Sequence, residues 1–361
     1  MNFYPGPSKI YPSVKSFMSE AFDSGILEKN HRSDSFMEML KETIDLFKTK
    51  MAIPSDYEVY FTSSATECWE IVAQSVLSGN VQFAYNGAFG KKWFKYTVTN
   101  PNPNIDKIVE TINGIRGSRF FLDQELSEIQ IAENYDCFCA VQSETSNGSY
   151  INNENLRKLP SHFLKCFDVT SSLGGYAIDF SAGDVFLASV QKCLGLPSGM
   201  GVMVVSPKAI EAAIKLNERN HYNSFLFIRE NFQKFQTHYT PNILNIFLLN
   251  RILKEVENIE VVSSKLKARA DDFIKHIESL EGINPLIKNI LTQSPNVIAI
   301  EAEEKIITMI KSKAKQNEIL LGNGYGEWKN NTFRVANFPA IPNKDYHQLK
   351  AFLSDTLSNA I

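Results

Sequence analysis

The stretch Asp184-Val185-Phe186-Leu187-Ala188-Ser189-Val190-Gln191-Lys192-Cys193-Leu194-Gly195-Leu196-Pro197-Ser198-Gly199-Met200-Gly201 decides how the chain is read. Between Val185 and Ser206 the only charged side chain is Lys192. Apolar runs flank it, Val185 to Val190 and Gly201 to Val205, and both read as buried strands joined by a Gly/Pro/Ser loop. A lysine held there is desolvated, which disfavours the ammonium and lowers its pKa. The free amine is a nucleophile toward carbonyl groups. A strand-end lysine that snorkels to water is the ordinary alternative. The balance is tipped by Asp168, which closes another strand-like run in Leu164-Lys165-Cys166-Phe167-Asp168-Val169-Thr170-Ser171-Ser172. A strand-end Asp followed by a strand-end Lys is the pair that pyridoxal phosphate chemistry requires. The lysine carries the aldehyde, and the aspartate keeps the pyridine nitrogen protonated so that the ring serves as an electron sink.

Composition bounds the rest. A chain of 361 residues is long enough for two domains, and 43% hydrophobic with 21% charged residues is ordinary for a soluble globular protein. A formal net charge of −3 gives no electrostatic case for nucleic acid or for an anionic membrane. Met1 to Pro7 has neither a basic n-region nor an apolar h-region, and apolar runs are too short for a membrane span, so a cytoplasmic protein is expected. Five cysteines without C-x-x-C spacing read as buried thiols, and six scattered histidines offer no metal site.

Taken in order, residues 2–13 form a proline-punctuated, irregular arm, in which Pro5, Pro7 and Pro12 forbid a helix. A helix is expected from Ser13 to Ser24. A polar loop with His31 and Arg32 follows, then a helix from Phe36 to Lys50 capped by Ser33 or Asp34. A His-Arg pair on a loop is commonly just solvated, yet the guanidinium also offers a planar fork to phosphate or carboxylate. From Glu58 strands and helices alternate. Strand 59–62 runs into Ser63-Ser64-Ala65-Thr66-Glu67, where small residues let backbone amides approach an anion at a helix start. Strand 81–84 ends in Tyr85-Asn86-Gly87-Ala88-Phe89-Gly90, placing Phe89 in a loop before the next helix. Strand 135–141 ends in a polar loop containing Thr145. This alternation implies a mostly parallel, doubly wound sheet, whose ligands bind beyond the carboxyl ends of the strands. Ser64, Phe89, Thr145, Asp168 and Lys192 all fall at such ends. Beyond Ser206 the chain turns helical, with Thr240 as cap and Pro241 at the first position of a helix. Long helical patterns occupy 243–254 and 261–280 around a break at 257–260. Strands at 296–300 and 332–336 and helices at 304–316 and 344–357 complete a small α+β domain. The expected division is a large domain over 14–257 and a small one over 258–361, with the arm 1–13 packed on it.

With these residues assembled, the sequence resembles the class V aminotransferases, pyridoxal phosphate enzymes of fold type I, and among them the phosphoserine branch. Asn2-Phe3-Tyr4-Pro5-Gly6-Pro7 is similar to that family's arm, and His31-Arg32-Ser33 to its substrate loop. The resemblance implies that Ser64, Ala65 and Thr66 bind the cofactor phosphate and that Phe89 stacks on its ring. It puts Thr145 near the ring hydroxyl, Asp168 at the pyridinium, and the lysine of Gln191-Lys192 on the aldehyde. Tyr239 and Thr240, ahead of Pro241, would reach the cofactor phosphate of a neighbouring subunit, so a homodimer with shared active sites is implied. Arg334 in Phe333-Arg334-Val335-Ala336-Asn337-Phe338 would bind the substrate α-carboxylate, with His31 and Arg32 on its distal group. The implied function is transamination between a small amino acid (phosphoserine or glutamate) and a 2-oxo acid, in serine biosynthesis.

The sequence departs from the phosphoserine pattern at three places. Phe89 stands where that branch has tryptophan, Tyr239 where it has asparagine, and Gly324-Tyr325-Gly326-Glu327-Trp328-Lys329-Asn330-Asn331 where a His-Arg with paired glycines is usual. The last change opens an alternative, an alanine- or serine-glyoxylate type of enzyme. A cysteine desulfurase needs a nucleophilic thiol on a late loop, and no cysteine follows Cys193. A non-catalytic binder of the cofactor would have no use for Arg334. A nucleotide-binding Rossmann protein would show G-x-G-x-x-G after a strand, which is lacking.

Overall fold

The computed structural model describes residues 1–111, 122–125 and 134–358. Its strands are β1 (Asn2–Phe3), β2 (Glu58–Thr62), β3 (Gly79–Ala84), β4 (Ile105–Thr111), β5 (Cys137–Val141), β6 (Ser143–Glu144), β7 (Ser149–Tyr150), β8 (Leu164–Asp168), β9 (Val185–Ser189), β10 (Gly201–Val205), β11 (Ile283–Pro285), β12 (Val297–Ala302), β13 (Leu320–Asn323) and β14 (Thr332–Ala336). The α-helices are α1 (Val14–Asp23), α2 (Asp34–Met51), α3 (Ala65–Ser75), α4 (Ala88–Thr99), α5 (Asn153–Arg157), α6 (Pro207–Leu216), α7 (Phe225–Phe232), α8 (Ile243–Glu255), α9 (Ile259–Glu278), α10 (Glu304–Gln316) and α11 (Asn343–Ser358).

Seven strands form the large sheet in the order β2-β10-β9-β8-β5-β3-β4. Strand β10 runs antiparallel to both its neighbours, and the other four pairings are parallel. Two reversals across β10 leave β2 parallel to β9, so β2, β3, β5, β8 and β9 all end at one edge. The central strands β5, β8, β9 and β10 are buried along their whole length, as a sheet covered on both faces demands, and β5, β9 and β10 read as largely apolar runs for that reason, while Lys165 interrupts β8. Helix α2 buries Phe36, Leu40, Thr43, Phe47 and Met51, spaced by four, three, four and four residues, which gives one apolar stripe. Edge strand β4 sets Asp106 and Lys107 between Ile105 and Ile108, and these charges, suited to an unpaired edge, hide it from a search for apolar runs.

A second sheet, ordered β1-β13-β14-β12-β11, carries α9, α10 and α11 and has its own apolar core. Part of the arm expected to be irregular is therefore a strand: Asn2 and Phe3 pair in parallel with Leu320 and Leu321. Phe3 is fully buried there, edge-on to Tyr346 at 5.3 Å between ring centroids.

Three local expectations are corrected. Helix α8 starts at Ile243, and its cap is Asn242, whose side chain accepts the Asn245 amide at 3.0 Å. Asn is the better cap because its short carbonyl arm reaches the third residue of the helix, so Thr240 and Pro241 lie ahead of the helix. Phe89 sits in the first turn of α4, not in the loop before it. Ser33 does occupy the cap position of α2, but its hydroxyl faces Ser35 at 3.3 Å and makes no cap bond.

Candidate active site

A cavity of about 270 Å³ opens at the edge where the parallel strands end, between the two sheets. Its wall includes Ala65, Thr66, Phe89, Thr145, Asp168, Gln191, Lys192 and Arg334, together with the arm residues Tyr4 to Pro7. Eight of the residues singled out from sequence thus meet in one place. Ser64 stands directly behind the wall as the N-cap of α3, its hydroxyl accepting the Glu67 amide at 3.0 Å. His31, Arg32, Tyr239 and Thr240 do not line this cavity. His31 is buried, Arg32 and Thr240 are exposed, and Tyr239 is partly covered.

Lys192 lies three residues beyond β9, where the chain leaves the sheet. Its Nζ donates to Thr145 Oγ1 at 2.7 Å and to Ser171 Oγ at 2.9 Å, and those two hydroxyls are 2.6 Å apart. The same amine lies 5.2 Å from the centre of the Phe89 ring. Burial is the main influence on this group and brings its pKa down to about 8, against the opposing pull of Asp168 and Glu144. The lone lysine of an apolar segment is still mostly an ammonium at pH 7, yet it yields the free nucleophilic amine far more readily than an ordinary lysine does.

Asp168, the last residue of β8, is 4% exposed. It accepts the Thr170 amide on Oδ1 at 2.8 Å and the Trp69 indole N–H on Oδ2 at 2.9 Å. Burial raises its pKa, while the Thr170 contacts, Lys192 and Trp69 draw it back. Arg334 reaches in from β14 of the small sheet. Its Nε donates to the Asn323 carbonyl at 2.7 Å and its Nη1 to the Thr145 carbonyl at 2.6 Å, which leaves Nη2 without a hydrogen bond among the described residues. A guanidinium fixed on two sides, with one nitrogen left over at a cavity wall, is prepared to receive a carboxylate.

Several contributors carry no signal strong enough to be found in sequence. Glu144 is 2% exposed and accepts from the Ser146 amide and hydroxyl at 3.0 and 2.5 Å, from the Gly90 amide at 3.0 Å and from the Phe89 amide at 3.4 Å. It thereby holds the first turn of α4 and the Phe89 ring with it. Gly87 makes room for this carboxylate, since a Cβ there would stand 2.2 Å from Glu144 Cγ. Ser189 Oγ accepts the Ala65 amide at 2.9 Å and seats the start of α3 against β9. Trp69 stacks on Trp93 with centroids 6.2 Å apart and so holds its N–H on Asp168. Ser171 carries one cue, its place three residues after Asp168; Trp69 and Ser189 have none.

The wall fits pyridoxal phosphate on its own terms. A buried amine of lowered pKa stands in one cavity with a buried carboxylate, an aromatic ring and the start of α3. There the Ala65 and Glu67 amides are taken by Ser189 and Ser64, and the Thr66 amide makes no hydrogen bond among the described residues. Two buried polar atoms on the wall, Thr170 Oγ1 and Gln191 Oε1, make no hydrogen bond among the described residues, which is the state expected of groups placed for a polar ligand.

Comparison with known proteins agrees with this geometry. The family description aminotransferase class-V matches residues 112–325. Phosphoserine aminotransferase of Corynebacterium glutamicum (strain R) is 24% identical over 95% of this chain and 91% of its own length. That of Rhodococcus opacus (strain B4) is 26% identical with the same coverage. Among solved structures, a phosphoserine aminotransferase from Cytophaga hutchinsonii superimposes with a TM-score of 0.87 at 28% identity, covering 98% of both chains. An alanine–glyoxylate aminotransferase from Nostoc sp. shares the fold, with a TM-score of 0.77 at 18% identity over 98% of this chain and 94% of its own.

Proposed function

We propose that this chain, which belongs to the class-V aminotransferases, moves the amino group between phosphoserine and glutamate and their 2-oxo acids, the exchange that serine biosynthesis needs. The observation that carries the reading is the amine of Lys192, buried and hydrogen-bonded to Thr145 and Ser171 in the same cavity as Asp168 and Arg334. The phosphoserine aminotransferases among the relatives, one of them 28% identical over nearly the whole chain, support the choice of substrate.

Pyridoxal phosphate, when bound, supplies an aldehyde that takes up the amino group and a ring that accepts the electrons of the Cα–H bond. Lys192 would hold that aldehyde between turnovers. Once an amino acid takes its place, the freed amine, with a pKa of about 8, is suited to lift the Cα proton and return it. Positioned proton transfer of this kind contributes roughly 10²–10⁴ in rate. Thr145 and Ser171, hydrogen-bonded to the amine, would keep its lone pair aimed. Asp168 would offer its carboxylate to a protonated ring nitrogen, Phe89 a flat apolar face, and the turn Ser64-Ala65-Thr66, at the positive end of α3, its Thr66 amide to the phosphate. Gln191 lies beside the lysine on the same wall, and Arg334 would clamp the α-carboxylate.

The working unit in this reading is a homodimer. Tyr239 and Thr240 lie outside the subunit's own cavity, in keeping with residues that serve a neighbour's site, and His31 and Arg32, expected on the substrate's distal group, lie outside it too. Phe22 and Tyr222 are 75% and 69% exposed, apolar surface of the kind a partner covers. We place the protein in the cytoplasm, in keeping with five buried free cysteines; no helix among the described residues is long and apolar enough to cross a membrane.

The test is a half-reaction panel. Holoenzyme is mixed with phosphoserine, glutamate, serine and alanine, and loss of the bound cofactor's visible absorbance is followed. Phosphoserine and glutamate should react fastest. A preference for alanine or serine would replace this reading with a glyoxylate-type enzyme.

A further inference from the structure

Among the described residues lining the cavity the cations are Lys192, Arg334 and Lys92. The first is taken by the cofactor and the second by the α-carboxylate, which leaves Lys92 with no assigned partner. It lies on α4 three residues after Phe89, so the two share one helix face with Cβ atoms about 5–6 Å apart. Lys92 is exposed, and among the described residues it makes no ion pair or hydrogen bond; its Nζ rests over the Tyr96 ring at 5.3 Å. That contact is the weaker hold for an ammonium, and a flexible four-carbon stem can leave it for an anion. On the opposite rim the loop 324–331 brings Tyr325 and no cation to the wall. Tyr325 lies 5.6 Å from the Phe89 ring, tilted against it, and 5.6 Å from the Arg334 guanidinium. The wall of the subunit is thus positive at Arg334, aromatic across Phe89 and Tyr325, and positive again at Lys92.

We propose that Lys92 is a specificity-determining residue that binds the distal anion of the substrate, a phosphate or a side-chain carboxylate, from within the subunit, while Arg334 holds the α-carboxylate. His31 and Arg32, for which the resemblance implies the distal role, do not line the subunit's own cavity. This rests on the transaminase reading given above and deepens it. It also locates, on the subunit's own α4, a cation that the loop 324–331 does not provide.

The experiment compares wild type, Lys92→Ala and Lys92→Arg holoenzyme in the half-reaction with phosphoserine, glutamate and alanine, and measures inhibition of the alanine reaction by inorganic phosphate. A charged hydrogen bond corresponds to roughly tenfold or more in kcat/KM. Lys92→Ala should therefore lower the phosphoserine-to-alanine and glutamate-to-alanine ratios at least about tenfold and weaken phosphate inhibition, and Lys92→Arg should restore both. If wild type prefers the two anionic donors and Lys92→Ala leaves the preference intact, or depresses all three donors equally, the role of Lys92 is overturned while the transaminase reading stands. If wild type shows no preference for anionic donors, the substrate assignment fails, and the role of Lys92 falls with it.

Discussion

Replacing Arg334 by alanine should cost activity on every amino acid alike. The guanidinium is 4% exposed and pinned by two bonds to backbone carbonyls, Asn323 at 2.7 Å and Thr145 at 2.6 Å. What it offers substrate is its remaining N–H groups, directed at the one group that all amino acids share. Losing a single charge-assisted hydrogen bond costs about 1.5–3 kcal/mol, or roughly 10- to 150-fold in kcat/KM. A second loss adds to the first, because Thr145 also accepts from Lys192. With its carbonyl released, the hydroxyl that aims the amine is less well held, so kcat should fall together with the rise in KM. Arg334→Lys keeps the charge but cannot satisfy two carbonyls and a carboxylate from one ammonium, and should recover only part of the rate. Single-turnover rates with phosphoserine, glutamate and alanine at saturating cofactor provide the assay, with thermal melting as a check that the fold survives. A loss below threefold, or a large loss confined to one donor, would refute the reasoning.

Lys192 makes the prediction with a pH sign. Its folded pKa of about 8 lies below the ordinary 10.5, so in the apoprotein a buried ammonium destabilises the fold below pH 8, and this cost fades as pH rises from 8 to 10.5. Lys192→Met should accordingly raise the melting temperature most near pH 7 and least near pH 10, and capture of pyridoxal phosphate by wild-type apoprotein should rise with a midpoint near pH 8; a midpoint near 10.5 would contradict this. Glu144→Gln replaces two acceptor oxygens with one and turns an amide NH2 toward N–H donors, so it should lower stability by about 1–3 kcal/mol and weaken cofactor binding; unchanged melting and affinity would count against the positioning role. Co-expressed Lys192→Ala and Thr240→Ala subunits should regain up to half the wild-type activity in mixed dimers, because one of the two sites is then whole; a fully active monomer in sedimentation would rule out shared sites.

The layout of the large sheet was legible because its strands are buried on both faces and so announce themselves as apolar runs, and Asp168 and Lys192 stand where such runs stop. Strands β4, β11 and β13 were not, being short or at an edge, with charged or polar residues among their apolar ones. The start of α8 was misread for a different reason. Thr240-Pro241 is a strong local signal for a helix beginning, and Asn242 next to it is a stronger cap; only geometry separates adjacent candidates. Glu144 escaped notice because a buried carboxylate that serves a helix start two strands away looks, in sequence, like any acid in a polar loop. Lys92 was invisible in the same way, as one of three lysines on an ordinary surface helix until the fold brought it to the cavity wall that Arg334 shares.

The amino-terminal arm ties these parts into a single mechanical line. Its first residues are an edge of the small sheet, Tyr4 to Pro7 form cavity wall, and the Ser8 and Tyr11 amides bond the carbonyls of Gln191 and Gly195 at 3.0 and 3.1 Å. Lys9 is pinned to Asp345 at 2.7 Å, and a Cβ on Gly6 would stand 3.2 Å from Lys192 Cε. A tendon anchored at both ends transmits tension, so any tilt of the small sheet would drag the wall across the amine and couple the width of the cavity to the attitude of that sheet. Packing around Phe3 and Tyr346, remote from any reacting atom, thereby acquires leverage over how tightly a substrate is gripped.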